Sequence, residues 1–212
     1  MRVNSYVDRA RDIDGAPLDP SGFLTYLSSH DALPNTRMTV DEYLDWVAGQ
    51  SGRYELRDGF AVAMSPEGAG HAEKKAAVHA ALLAAIRARG LACYALPDGM
   101  TVRIDDVTAY EPDAVVYCGA KLAPSAIEVP EPMIVVEVLS PSTRHIDLSA
   151  KLADYFRLPS IAHYLIVDPE RPGIVHHARA KGETILTRII TQGRIELDPP
   201  GLELEMAEIY AP

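Results

Sequence analysis

One acidic residue, Glu137, stands in the middle of an otherwise apolar run, MIVVEVL at residues 133–139. The run has the composition of a strand that is buried inside a sheet. A lone carboxylate in such a strand is costly to bury unless a positive charge neutralises it or it binds a proton. The sequence therefore predicts that the folded chain brings a cation to Glu137.

A second acid, Asp113, precedes the apolar strand AVVYC at residues 114–118. If the two strands are neighbours, Asp113 and Glu137 meet at one edge of the sheet. Two convergent carboxylates suit a hard divalent cation such as Mg²⁺, and an amphipathic helix downstream carries Lys151. Two acids, a lysine and a metal ion together indicate hydrolysis of a phosphodiester bond by a metal-activated water.

The composition predicts an ordinary globular protein with one main domain, since 48 % of the 212 residues are hydrophobic and 24 % are charged. We see neither a signal peptide nor an apolar run of membrane-spanning length, and we expect a cytoplasmic protein without membrane contacts. Cys93 and Cys118 lie in strand-like segments without CxxC spacing. We expect them to be buried free thiols in a reducing compartment.

The net charge of −10 is unusual for an enzyme that acts on nucleic acids, because phosphate contacts require a basic surface. Residues 71–103 nevertheless contain more cations than acids. This excess indicates either a local basic surface or an ordinary solvated helix face. The cations concerned are Lys74, Lys75, Arg87, Arg89 and Arg103.

Residues 1–36 are rich in Asp, Gly, Pro and Ser and predict a loosely ordered extension, with one candidate helical turn at 23–27, before a folded domain at 37–212. The domain begins with a helix that a capping box starts, in which Thr39 pairs with Glu42. A hairpin follows around residues 57–59, and an Ala-rich helix over 71–89 ends at Gly90. Further strands are predicted at 91–96, 100–104, 113–118, 133–139, 162–167, 173–178 and 184–190, with a helix over 145–158. This order of elements predicts a mixed α/β fold, of α+β type, with a central mixed sheet flanked by helices.

Five short motifs lie along this domain: YELRDG at 54–59, MSP at 64–66, PD at 112–113, VEVLSPST at 136–143 and YLIVDP at 164–169. Together they make residues 38–180 resemble the PD-(D/E)XK nuclease superfamily, and within it the bacterial Uma-type family of predicted restriction endonucleases. The resemblance implies a restriction-endonuclease-like core with an added N-terminal hairpin. It also implies a DNA endonuclease that depends on Mg²⁺, with Mn²⁺ as a substitute, and a homodimer, since such enzymes often pair to cut both strands.

By this resemblance, the carboxylates of Asp113 and Glu137 and the backbone carbonyl of Val138 hold the metal ion. The superfamily has a lysine two residues after the strand acid, where this chain has Leu139. Related sequences place that lysine on the following helix, and Lys151 occupies the matching position. The resemblance therefore implies Asp113, Glu137 and Lys151 as the catalytic residues.

Glu55 and His71 are further candidates for contacting the metal ion or its water. Each candidate also has a purely structural interpretation. Glu55 has the pattern of a half-exposed hairpin acid, and His71 that of a surface histidine at a helix start. Asp113 is explained by a turn before a strand, and Glu137 by a buried ion pair.

Lys151 has a structural explanation of its own, since Asp147 and Asp154 lie at the spacing of salt bridges along a helix surface. The main functional alternative is a nuclease-like fold that binds nucleic acid or a partner protein without cutting. The replacement of the lysine by Leu139 and the acidic composition favour this alternative. A third interpretation, hydrolysis of a small phosphate ester, requires a closed pocket.

Overall fold

The computed structural model describes residues 36–140 and 148–211. It confirms the mixed α+β fold with a central mixed sheet and flanking helices. The predicted extension at 1–36, with its helical turn at 23–27, lies outside the described residues except for residue 36. Its separation from a domain at 37–212 therefore stays a prediction. None of the described helices is long and apolar enough to cross a membrane. The helices are α1 (Val40–Val47), α2 (Ala69–Arg89), α3 (Leu148–Tyr155) and α4 (Met206–Ile209).

Twelve strands are described. They are β1 (Tyr54–Arg57), β2 (Phe60–Ala63), β3 (Cys93–Pro97), β4 (Val102–Asp105), β5 (Thr108–Tyr110), β6 (Ala114–Cys118), β7 (Pro132–Val138), β8 (His163–Val167), β9 (Ile174–Arg179), β10 (Ile185–Ile190), β11 (Arg194–Leu197) and β12 (Leu202–Glu205). Six of them form the central sheet in the order β10-β9-β8-β7-β6-β3. Only β7 and β8 run parallel to each other, and they lie at the centre, which explains their almost continuous apolar sequences.

Helix α2 packs against one face of the central sheet, where it contacts β3, β6 and β7. Its apolar residues Val78, Leu82 and Ile86, which share one face of the helix, are buried there. The helix ends at Gly90, whose φ of 62° is left-handed, as the sequence predicted. The other face of the sheet packs against Tyr155 at the end of α3 and the residues that follow it.

A smaller sheet, in the order β2-β1-β5-β4, packs against α1. The predicted capping box is present, since the Thr39 backbone N–H donates to Glu42 Oε2 (2.8 Å) and the Glu42 N–H donates to Thr39 Oγ1 (3.3 Å). The predicted hairpin is β1–β2, and it turns through Asp58 and Gly59, both at positive φ. Strand β5 was not predicted, because three residues are too few to show a period.

The C-terminal hairpin β11–β12 and helix α4 were also missed. Each strand alternates apolar and polar residues, RIEL and LELE, and the apolar half is buried against the cluster around α2. That alternation is the signal of a strand with one buried face, although each strand shows it over only four residues. The buried apolar residues are Ile195, Leu197, Leu202 and Leu204.

The prediction of two free thiols is wrong, because Cys93 and Cys118 form a disulfide. The two residues are direct partners on the antiparallel strands β3 and β6, with Cα atoms 3.9 Å apart. Directly opposite side chains lie on the same face of a sheet and within bonding reach. The register that brings them together joins residues 25 positions apart, and the sequence spacing does not reveal it. The disulfide removes the thiol-based argument for a reducing compartment.

Candidate active site

Asp113 and Glu137 lie at the same edge of the central sheet. The β6–β7 ladder ends on this side with the pair Ala114 and Val136, and the two acids follow directly on the adjacent strands. Both line a single cleft of about 550 Å³. Lys151 is also part of its lining, as are the two further candidates, Glu55 and His71.

Lys151 provides the cation that Glu137 requires. Its ammonium Nζ donates to Glu137 Oε1 (2.8 Å) and to Glu55 Oε1 (2.6 Å). Tyr155, one turn further along α3, donates its hydroxyl to the same Glu137 oxygen (2.8 Å). Three elements therefore meet at this point, because Glu55 lies on β1, Glu137 on β7 and the two donors on α3.

The interpretation of Lys151 as a surface salt bridge is wrong. Only 8 % of Lys151 is exposed, and it pairs with Glu55 and Glu137 on the two sheets. Asp154 instead accepts the hydroxyl of Tyr110 (2.6 Å), and Asp147 lies outside the described residues. The interpretation of Glu55 as a half-exposed hairpin acid is also wrong, since only 3 % of Glu55 is exposed.

The buried charges shift one another's pKa values. Burial raises the pKa of Glu137 to about 7; Lys151 opposes this rise, and the negative charges of Glu55 and Asp113 add to it. Burial also acts to raise the pKa of Glu55, but Lys151 and Arg57 outweigh it and the net shift is downward. Desolvation acts to lower the pKa of Lys151, but the two glutamates outweigh it and hold the ammonium charged. Lys151 therefore favours the ionised form of both carboxylates.

Asp113 accepts a backbone hydrogen bond and lies beside the side chains of Lys75 and His71. Its Oδ2 accepts the N–H of Val138 (2.7 Å), and Lys75 Nζ lies 3.2 Å from its Oδ1. His71 Nε2 is 3.6 Å from Asp113 Oδ2 and 2.9 Å from the carbonyl oxygen of Val138. The carbonyl predicted as the third metal ligand therefore accepts a hydrogen bond from His71, and its second lone pair is available to a ligand.

The hydrogen bond to Val138 determines the tautomer of His71. A carbonyl oxygen can only accept, so Nε2 carries the proton and the lone pair of a neutral ring is on Nδ1. Nδ1 is buried without a hydrogen-bond partner and lies 3.5 Å from Glu67 Oε2, another acceptor. Ligand atoms of Glu67, His71 and Asp113 lie within 4.8 Å of one another. Glu67 and Asp113 already share the ammonium of Lys75, and together with His71 they form a candidate group for a metal ion.

Sequence analysis missed Glu67 and Lys75. The Lys75 ammonium donates to Glu67 (2.6 Å) and to Asp98 (2.7 Å), and Arg53 joins Glu67 to Glu111. The signal was present, because residues 67, 71 and 75 are spaced four apart. Glu67 was not predicted because it lies before the helix, which begins only at Ala69.

The charges around the cleft leave an excess of negative charge. Ion pairs join six carboxylates and four cations here. The carboxylates are Glu55, Glu67, Asp98, Glu111, Asp113 and Glu137, and the cations are Arg53, Arg57, Lys75 and Lys151. With all six carboxylates ionised, the four cations leave two negative charges among these described residues. One divalent cation would balance them, so the donor set fits a metal ion.

Residues 40–208 match the model of a protein family described as "Uma2: Putative restriction endonuclease". A curated relative, "Uncharacterized protein slr1290" of Synechocystis sp. (strain ATCC 27184 / PCC 6803 / Kazusa), is 28 % identical over 187 residues, which cover 84 % of this chain and 93 % of the relative. A crystal structure of a "putative nuclease belonging to DUF820" from Anabaena variabilis ATCC 29413 has the same fold, with a TM-score of 0.62 at 13 % identity, and the match covers 82 % of this chain and 98 % of that one. Because the family model spans most of the sequence, the chain belongs to the Uma2 family of putative restriction endonucleases.

Proposed function

We propose that the protein is a metal-dependent DNA endonuclease that hydrolyses phosphodiester bonds with a metal-activated water. The observation that carries this proposal is the convergence of Asp113, Glu137 and Lys151, with Glu55 and His71, around one cleft at the edge of the central sheet. The description of the family supports the same class of reaction and DNA as the polymer.

The donor atoms suit Mg²⁺ and also Mn²⁺. Asp113, Glu137 and the Val138 carbonyl offer the all-oxygen set that Mg²⁺ prefers, and carboxylate and carbonyl ligands suit Mn²⁺ as well. His71 donates its Nε2–H to the Val138 carbonyl, which orients that ligand, and its Nδ1 lies on the side of Glu67. A divalent ion held by these residues would polarise the scissile phosphate and lower the pKa of a bound water.

Lys151 has two roles in the proposal. It opposes the effect of burial on Glu137, so that this carboxylate is available as a ligand near neutral pH. Its fixed ammonium also stabilises the negative charge that develops on the phosphate oxygens in the transition state. Lys151 and Tyr155 both donate to Glu137 Oε1, and we assign the other oxygen, Oε2, to the metal ion.

The test is incubation of the purified protein with supercoiled plasmid and with single-stranded circular DNA, in Mg²⁺, in Mn²⁺ and in chelator. We expect cleavage with metal and none with chelator. Asp113→Asn and Glu137→Gln should each lower the rate on the order of 10²-fold or more, as the loss of a preorganised charged group does. Glu203→Gln is the matched control, because Glu203 is a surface acid on β12 that pairs with Arg89.

Two results would reject the proposal. Cleavage that persists in chelator or survives both site variants would remove the metal and the two acids from the reaction. DNA binding without cleavage in either metal would instead identify the non-cutting alternative, a nuclease-like fold that only binds.

A further inference from the structure

The outer edge of the smaller sheet carries two exposed apolar side chains beside the cleft. Strand β2 is an edge strand, and Phe60 and Val62 on it are 43 % and 38 % exposed. Their direct partners on β1 are Arg57 and Glu55, so these four side chains lie on one face of the hairpin. The opposite face, which includes Leu56, is buried in the core.

This face of the hairpin continues into the candidate active site. Glu55 on it binds Lys151, and Val62 and Met64 line the cleft. Phe60 lies two residues before Val62 on the same strand, so it extends the same surface beyond the cleft. We call Phe60, Val62 and Met64 the hairpin strip. A polymer that enters the cleft with its scissile phosphate would lie against this strip.

Charge near the cleft does not favour a long duplex. Among the described residues, the lysine and arginine that line the cleft, Lys151 and Arg57, are each paired with carboxylates, and the chain has a net charge of −10. Duplex binding draws most of its affinity from lysines and arginines that neutralise phosphates. Affinity for a nucleic acid must therefore come from short-range contacts, and the hairpin strip offers apolar surface for them.

The faces of bases are open to such contacts only where the bases are unpaired and unstacked. Stacking on an aromatic side chain tolerates any base and changes affinity by roughly 5- to 100-fold per base. The volume of the cleft, about 550 Å³, is in the range of sites that enclose a small ligand. It suits a nucleotide unit of a single strand.

We propose that the substrate is single-stranded or locally unpaired DNA, and that a base beside the scissile phosphate packs against Phe60 and Val62. This inference rests on the proposed function, because it names the form of DNA that the same site takes. It assigns the hairpin strip to substrate positioning and gives it no part in bond cleavage.

The test compares Phe60→Ala, Phe60→Trp and the matched control Ile189→Ala. Ile189 is 76 % exposed on β10, an edge strand of the central sheet. Binding of a short labelled oligonucleotide, single-stranded or annealed, is measured by fluorescence anisotropy with Mg²⁺ in a Glu137→Gln background, so that no strand is cut. Steady-state cleavage of the single strand is measured in the parent background, and thermal melting verifies that each variant is folded.

We expect the single strand to bind more tightly than the duplex. Phe60→Ala should weaken single-strand binding roughly 5- to 100-fold and raise KM with little change in kcat, while Phe60→Trp and Ile189→Ala behave like the parent. The slope of log K against log salt should be shallower than about −2, the value for roughly three single-strand phosphate contacts.

The inference is overturned if the duplex binds as tightly as the single strand or if Phe60→Ala binds and cleaves like the parent. It is also overturned if Phe60→Ala turns a dimer into a monomer, since the strip would then be an interface between copies. In these cases metal-dependent cleavage by the parent leaves the proposed function standing. Absence of metal-dependent cleavage of any DNA by the parent would instead refute the proposed function, and the inference with it.

Discussion

Replacement of Lys151 by methionine tests whether the buried ion pairs hold the site together. Methionine keeps most of the apolar stem of the side chain and removes the ammonium group. Lys151 is 8 % exposed and donates to Glu55 and Glu137 at 2.6 and 2.8 Å. Lys151→Met therefore leaves two buried carboxylates without their shared cation.

The expected loss of stability is large. Removing one partner of a buried ion pair costs about 3–5 kcal/mol, whereas an exposed pair contributes about 0–1 kcal/mol. For a domain of this size the loss corresponds to a fall in Tm of roughly 6–20 °C. Thermal unfolding of the parent and Lys151→Met, followed by circular dichroism, measures the difference directly.

The loss should also depend on pH. The pKa of Glu137 is already raised to about 7 in the folded protein, and removal of Lys151 raises it further. A carboxyl group with a raised folded pKa stabilises the fold while it is protonated, and this contribution is lost as the pH rises through the folded pKa. The deficit of Lys151→Met should therefore be largest above neutral pH and shrink as the pH falls.

The double variant Lys151→Met, Glu137→Gln is the matched control, because it removes one of the two stranded charges. We expect it to recover a substantial part of the lost stability at alkaline pH. A cost below about 1 kcal/mol, or a cost that does not change with pH, would show that these contacts contribute little and would refute the reasoning.

Three further predictions concern Tyr155, His176 and the disulfide. Tyr155→Phe removes a donor to Glu137 and should move the acidic limb of the pH–rate profile to higher pH; an unmoved profile contradicts this. Burial lowers the pKa of His176 to about 4, so folded stability should fall by up to roughly 3 kcal/mol as the pH drops from about 6.5 to about 4. His176→Leu should flatten that slope relative to His177→Leu in acid unfolding. Reduction of the disulfide, or Cys118→Ser, should cost about 3 kcal/mol in urea unfolding, and an unchanged midpoint would contradict the structural role.

The sequence predicted those parts of the site that depend on local pattern. The acid inside an apolar run predicted a cation beside Glu137, and Lys151 on the next helix provides it. The position of each acid at an apolar strand also led to the expectation that Asp113 and Glu137 meet at one edge if the strands are neighbours, and β6 and β7 are neighbours. These inferences succeeded because the period of a strand and the cost of burying a charge are properties of a few neighbouring residues.

The remaining parts depend on contacts between distant segments. Whether Lys151 turns toward acids of its own helix or toward the sheet is determined by how α3 packs. Lys75 reaches Asp98 and Asp113 only because of where α2 packs along the strands. The disulfide depends on the register of two strands in the same way.

The ion pairs of Lys151 also affect how the protein unfolds. Glu55 belongs to the smaller sheet and Glu137 to the central sheet, and a single ammonium group contacts both. Opening of the β1–β2 hairpin would therefore break the Lys151–Glu55 ion pair, which couples the two sheets energetically. In native-state hydrogen exchange, the amides of β1 should share the protection of the central strands instead of exchanging early like an ordinary peripheral hairpin. The integrity of the site and the cooperativity of the fold are thus consequences of the same contact.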